Sequence, residues 1–276
     1  MEGYWWSLPV VAETWDGWLN DINGFHVHPE DAWHALDTAR SGPVEEGNVG
    51  GGTGMVCNEF KGGIGTSSRV LDAKAGGYTV GVLVQCNYGR RGQLRVAGVP
   101  VGKEIPEKPA YGGDESADSM WGQPPSPALS QAEGAVRRPE GSPNSGQAGK
   151  DTGSIIVIVA TDAPLIPTQL KRVAKKVSLG LGRDGSYSGD GSGDIFLAFS
   201  TANPGAVGTK GLHQLTMLPN DSLDPIFLAT VQATEEAVVN AMVAAETMKG
   251  IDDHEVIALP HDRLREVLKK YNRLEK

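Results

Sequence analysis

Cysteine is scarce in this chain: its 276 residues contain two, Cys57 and Cys86. Two isolated cysteines in apolar or Gly-rich surroundings exclude a disulfide-dense scaffold. They read as buried thiols rather than as a disulfide or a metal pair. Positive charge is also short, with 25 Lys and Arg against 34 Asp and Glu and a formal net charge of −9. No basic stripe offsets that balance, so nucleic acid is not an expected partner. Long apolar runs are missing too. No segment approaches the ~18 apolar residues of a membrane span, and no membrane association is expected. The start, Met1-Glu2-Gly3-Tyr4-Trp5-Trp6, lacks the basic region of a signal peptide, which makes the cytoplasm the expected location. The six His residues show no ligand spacing. His26 and His28 are two apart beside a turn, with no Cys or carboxylate to complete a site, so no metal and no other cofactor is expected.

Glycine, by contrast, is abundant at 37 residues, and hydrophobic residues make up 39% of the chain. The first implies many tight turns and close backbone approaches. The second supports a core large enough for one large domain or two small ones. Two Gly-rich stretches stand out, Gly47-Asn48-Val49-Gly50-Gly51-Gly52-Thr53-Gly54 and Lys61-Gly62-Gly63-Ile64-Gly65-Thr66-Ser67-Ser68. Neither ends in the Gly-Lys-Ser/Thr of a P-loop or sits in a clear strand–turn–helix context, which argues against nucleotide binding. Loops packed close to an active site are the expectation.

Periodicity sketches the elements. Val10 to Gly17 reads as a short strand closing in a turn at Asp16-Gly17. Pro29 to Arg40 reads as a helix with Ala32, Trp33, Leu36 and Ala39 on its apolar face. Tyr78 to Gln85 is a strand, with a second expected around Leu94-Arg95-Val96. Pro167 to Leu181 is an amphipathic helix whose Lys and Arg residues face solvent. Ile195 to Ser200 is a strand, and helices follow over Asp224–Lys249 and Pro260–Arg273. The alternation argues for a layered α/β fold with helices packed on a buried sheet.

From about Lys103 to Thr152 the chain is poor in apolar residues and rich in Pro, Gly and Ser, the composition of a linker. It runs into Gly153 and Ser154. Ile155 to Ala160 then form the most apolar run in the chain, as in a strand buried on both faces. A hydroxyl nucleophile therefore stands where linker meets sheet. If the Gly153–Ser154 bond breaks, Ser154 becomes an N-terminus whose α-amine, with an unperturbed pKa of roughly 7.7–8.0, can serve as its base.

The run Thr152-Gly153-Ser154-Ile155-Ile156-Val157-Ile158-Val159-Ala160-Thr161-Asp162-Ala163-Pro164-Leu165 resembles the self-cleavage site of the L-aminopeptidase/D-esterase and β-aminopeptidase family. These are self-processing serine hydrolases with an N-terminal Ser nucleophile. The resemblance covers nearly the whole chain from Ser7 onward, apart from the linker. It implies a four-layer αββα sandwich of the N-terminal-nucleophile type and one hydrolase domain over residues 1–276. Residues 1–153 would form an α-chain part and residues 154–276 a β-chain part. In the family, residues matching Trp5, Trp6, Leu8, Val10 and Val11 follow a further N-terminal region of sheet strands, so the chain is expected to lack that region.

The resemblance also implies roles. Ser154 is the nucleophile and Asn87 an oxyanion donor; Ser192 and Asp194, in a Ser-Gly-Asp motif, contact the amine and hydroxyl of the nucleophile. Without it, Asn87, Ser192 and Asp194 read as turn formers at strand ends. Glu13 aligns with a carboxylate that holds the substrate's N-terminal ammonium, which implies an aminopeptidase acting on small peptides, amides or esters. Trp15 departs from the family's Tyr in Glu-Thr-Tyr-Asp-Gly, and an indole offers only one N–H donor. Homo-oligomers of processed heterodimers are expected. Two other readings stand beside this one. Ornithine acetyltransferases share the architecture but use Thr where this chain has Ser154. An unprocessed homologue would be only a structural or oligomer component.

Overall fold

A computed structural model of the chain describes residues 10–110, 153–207 and 210–274. The expected linker from residue 111 onward, and Trp5, Trp6 and Leu8, lie outside them. In chain order the elements are α1 (Pro29–Asp37), β1 (Val56–Cys57), β2 (Phe60–Lys61), β3 (Gly63–Val70), β4 (Thr79–Asn87) and α2 (Val101–Glu104). After the linker come β5 (Ser154–Thr161), α3 (Pro167–Ala174), α4 (Val177–Arg183), β6 (Ile195–Ser200), α5 (Asp224–Val243), β7 (Met248–Lys249), β8 (Glu255–Val256) and α6 (His261–Lys270).

The organising sheet has the order β3-β4-β5-β6. The first three strands are antiparallel, and β6 returns parallel to β5 through α3 and α4. A parallel return needs a crossover connection, and the two helices supply it. Val80, Val82, Val84, Ile155, Val157 and Val159 point to one face and are fully buried. Against them lie Ile226, Ala233, Ala237 and Ala241 of α5, whose small side chains let helix and sheet approach closely. Gly65 on β3 is part of that fit: a Cβ there would overlap the Ala237 carbonyl. By length and composition alone α5 could cross a membrane, which corrects the expectation that no segment could. Its burial under the sheet accounts for that composition.

The other face of the sheet is open among the described residues. Along β5 full burial alternates with half-burial, not the two-sided burial read from the sequence. Ile195, Leu197 and Phe199 of β6 point to the open face and are exposed. One sheet and one helical layer, half of an αββα sandwich, are thus present among the described residues.

Several sequence expectations need correction. Residues 10–16 form no strand, although the turn follows as expected. The stretch from Gly63, expected as loop, is β3, and the strand expected near Leu94 is a short 3-10 turn followed by the Val96–Val99 bridge. Helix 167–181 is two helices, broken at Lys175 and Lys176. The helix from Asp224 stops at Val243, and Met248–Lys249 pair with Glu255–Val256 instead. The first residues of the expected linker pack into the fold, with Ile105 and Ala110 buried. Finally, Cys57 and Cys86 are both buried as expected, but they form a disulfide, with Cα atoms 5.5 Å apart. β4 runs back past the β1–β2 hairpin, so residues 29 apart in sequence meet.

Candidate active site

Ser154 is the first residue of β5, and the sheet order decides its neighbours. On one side it pairs in register with Asn87, the last residue of β4. Cross-strand partners project from the same face, so both side chains issue onto the open face of the sheet. On the other side lies the turn leading into β6. The Gly193 N–H donates to the Gly153 carbonyl at 3.3 Å, and a Cβ added to Gly193 would lie 2.9 Å from Ser154 Oγ. Glycine is therefore required there for the turn to lie against the hydroxyl. Ser192 Oγ donates to Asp194 Oδ1 at 2.6 Å. Asp194 Oδ2 is buried and has no hydrogen-bond partner among the described residues. A buried carboxylate oxygen without a donor is costly.

The orientation of the Asn87 amide is settled by its partners. The Val56 N–H donates to Oδ1 at 2.8 Å, and Nδ2 donates to the Trp15 carbonyl at 2.7 Å. A donor must meet oxygen and an acceptor must meet nitrogen, so the reverse rotamer would break both bonds. Among the described residues, the second hydrogen of Nδ2 has no acceptor.

Residues 13–15 border this end of the sheet through Thr14 and the Trp15 backbone. Thr14 Oγ1 accepts from Gln85 Nε2 at 2.7 Å and donates to Met55 Sδ at 2.8 Å. Glu13 and Trp15, which flank Thr14, are exposed. The Trp15 contact to Asn87 runs through its carbonyl, so a Trp in place of Tyr leaves it intact. The structure thus brings Ser154, Asn87, Ser192, Asp194 and the Trp15 backbone to one end of the sheet. The Glu13 side chain points into solvent.

Behind Asn87 sits a group that the sequence reading missed. The hairpin Val56–Lys61 is buried throughout, charged residues included. Glu59 pairs with Arg90 at 3.0 Å; burial pushes its carboxyl up, while Arg90 and Arg91 oppose that shift. Arg91 stacks on Phe60, 3.2 Å from the ring centre, and donates to the carbonyls of Asn58, Glu59, Ile105 and Glu107. Lys61 Nζ donates to the carbonyls of Met55 at 2.9 Å, Gly62 at 2.7 Å and Gly52 at 3.2 Å. Burial pulls the Lys61 pKa down to about 7. Three carbonyl acceptors, however, match the three protons of the ammonium form. The signal available in sequence was a Lys inside an apolar and Gly-rich run, which reads equally well as a solvated loop residue.

The sequence profile of peptidase family S58 matches residues 1–256. Beta-peptidyl aminopeptidase BapA of Sphingosinicella microcystinivorans is 52% identical over 272 residues, which is 98% of this chain and 63% of that protein. The protein of the same name from Sphingosinicella xenopeptidilytica is 45% identical over 267 residues, 95% of this chain and 60% of its own length. The L-aminopeptidase D-Ala-esterase/amidase of Ochrobactrum anthropi superposes with a TM-score of 0.78 at 45% identity, covering 100% of this chain and 66% of that one. Its structure is described as a variant of the Ntn hydrolase fold, and the present fold is of that kind. The chain thus spans less than two thirds of the length of each of these relatives. With the match running through the strand that carries Ser154, the chain belongs to peptidase family S58.

Proposed function

We propose that the protein is a self-cleaving serine aminopeptidase working through an acyl-enzyme on Ser154. The observation that carries this is the placement of Ser154 between Asn87 on one neighbouring strand and the Ser192–Asp194 pair before the other. In the uncut chain, Ser154 Oγ attacks the Gly153 carbonyl, whose oxygen accepts the Gly193 N–H. The C–N bond breaks, its nitrogen takes the proton that the hydroxyl gives up, and water hydrolyses the resulting ester. Ser154 then carries a free amine, and the Asp194 carboxylate, one residue beyond the Gly193 that lies against Ser154, favours and orients the ammonium.

In turnover the neutral amine of Ser154 takes the proton from its own hydroxyl as Oγ attacks the substrate carbonyl. Negative charge develops on the carbonyl oxygen, and the remaining N–H of Asn87 Nδ2 meets it. The protonated amine gives its proton to the leaving amine, and water releases the acyl group. Substrates are small peptides, amides or esters with a free N-terminal ammonium, which the exposed Glu13 carboxylate attracts. Two relatives are named beta-peptidyl aminopeptidases, so peptides beginning with a β-amino acid are the first to try.

Mass analysis tests the first step. The wild-type chain should appear as two fragments, the second beginning at Ser154, and Ser154→Ala as one chain of 29.1 kDa without hydrolytic activity. Splitting of the Ala variant at the same bond would remove Ser154 from the chemistry.

A further inference from the structure

Met55 and Val56 share one peptide group, and both of its ends are held. Its carbonyl accepts from Lys61 Nζ at 2.9 Å, and its N–H donates to Asn87 Oδ1 at 2.8 Å. The Asn87 carboxamide repeats the pattern. Its oxygen is held by Val56, while its nitrogen faces the Trp15 carbonyl and stands in register with Ser154. An ammonium, a peptide and a carboxamide thus form one line that ends beside the candidate nucleophile. The acceptors of Lys61 Nζ among the described residues are the backbone carbonyls of Gly52, Met55 and Gly62.

We infer that Lys61 is a positioning residue for the oxyanion site, acting through the Met55–Val56 peptide on the Asn87 carboxamide. The inference rests on the reading of Asn87 as the oxyanion donor. A cation on the Met55 oxygen draws electron density from the amide and makes the Val56 N–H a stronger donor. That donor in turn polarises the Asn87 carbonyl, so its Nδ2–H bonds become stronger donors toward an oxyanion. Chained hydrogen bonds strengthen one another by about 10–30% per bond, and the burial of the hairpin leaves little water to screen them. The same line locks orientation. A flipped Asn87 would present oxygen to oxyanion, and the anchored Val56 N–H opposes that flip. As a fold element alone, Lys61 is a poor choice, because a buried ammonium with only carbonyl acceptors costs stability that an apolar side chain avoids. From the first Gly-rich stretch, the Gly52 carbonyl is one of the three acceptors of the ammonium.

The test compares processed enzyme, confirmed as two fragments, in four forms: wild type, Lys61→Gln, Asn87→Ala and the double variant. Gln keeps N–H donors and removes the charge. Lys61→Gln should lower kcat about tenfold, a fraction of what loss of an oxyanion donor costs, and leave KM within about twofold. On the Asn87→Ala background the same change should cost nothing further, because residues acting through one another are not additive. An equal loss in both backgrounds, or an effect confined to KM, overturns the inference. Lys61→Arg, which keeps the charge, is the second variant if Lys61→Gln gives no folded protein. Its kcat should stay within about threefold of wild type, and a larger fall at an unchanged melting temperature overturns the inference. Failure of both variants to fold assigns Lys61 to stability alone and also overturns it. A wild type without hydrolytic activity sinks the aminopeptidase reading and takes this inference with it. An active wild type with a slow Asn87→Ala and additive Lys61→Gln sinks the inference alone.

Discussion

Residues 55–61 and most of residues 10–45 are opposites in burial, with Thr14 and Leu19 the buried exceptions in the second stretch. The first stretch contains Asn58, Glu59 and Lys61 and is buried from end to end. The second contains Val10, Val11, Phe25, Val27, Trp33 and Leu36, all of them exposed. Helix α1 forms where the sequence places it, with Pro29 in its first turn, yet none of its residues is buried. The difference is partners. Every charge in the hairpin meets one: Arg90 for Glu59, backbone carbonyls for Lys61, and carbonyls plus the Phe60 ring for the neighbouring Arg91. Helix α1 has an apolar face and no described element to receive it. Burial thus follows the surfaces available at a position and only secondarily the polarity of the residue.

The sharpest way to break this comparison is to empty the hairpin. Phe60→Ala removes a fully buried ring that also carries the Arg91 guanidinium, and about 3–5 kcal/mol of stability should go with it. A denaturation midpoint close to wild type would mean that the hairpin is not the packed unit described. Next in size is the crosslink. Reducing Cys57–Cys86 should cost about 2–4 kcal/mol for a closed loop of this size. The check is the midpoint with and without reductant, in wild type and in a Cys57→Ser, Cys86→Ser variant that should not respond. Equal midpoints throughout would show the cysteines to be thiols.

Asp184 sharpens the contrast from another direction, as a buried polar group that lacks partners. It is fully buried at the end of α4, and neither carboxyl oxygen has a hydrogen-bond partner among the described residues. Burial first, then the charge of Glu235, pushes its pKa well above the ordinary carboxylate value, against the pull of Arg183. The fold therefore favours the protonated form. Its contribution is fully present below the unfolded pKa of about 3.9 and is lost as pH rises toward the folded value. Asp184→Asn, which cannot ionise, should be the more stable protein at pH 7, by something of order 1 kcal/mol. That advantage should shrink as pH falls to about 4. A pH-independent difference in melting temperature would show that ionisation is not the cause.

The smallest expected effect completes the series. Trp33→Ala, at a side chain 65% exposed, should shift stability by no more than about 0.5 kcal/mol in either direction. A loss as large as that of Phe60→Ala would mean that α1 is covered in solution, and the comparison would collapse.

What the chain determines by itself is local and periodic. The apolar run after Ser154 is a strand because β-branched residues suit an extended, buried backbone, and β6 and α6 are legible for similar reasons. The candidate residues Ser154, Asn87, Ser192 and Asp194 were legible as a set only through the family motif, since each is also an ordinary turn or strand-end residue. Register and long-range pairing needed the tertiary structure. Only the sheet order puts Asn87 opposite Ser154 and the 192–194 turn on its other side. Only the return of β4 past the hairpin makes a disulfide of two separated cysteines. The three carbonyls on Lys61 belong to residues only 1, 6 and 9 positions away, yet a lysine in a Gly-rich run carries no sequence sign that the folded loop will close around it. Composition and periodicity act over a few residues. The contacts that orient the Asn87 amide join residues 31 and 72 apart, which the folded chain alone brings together.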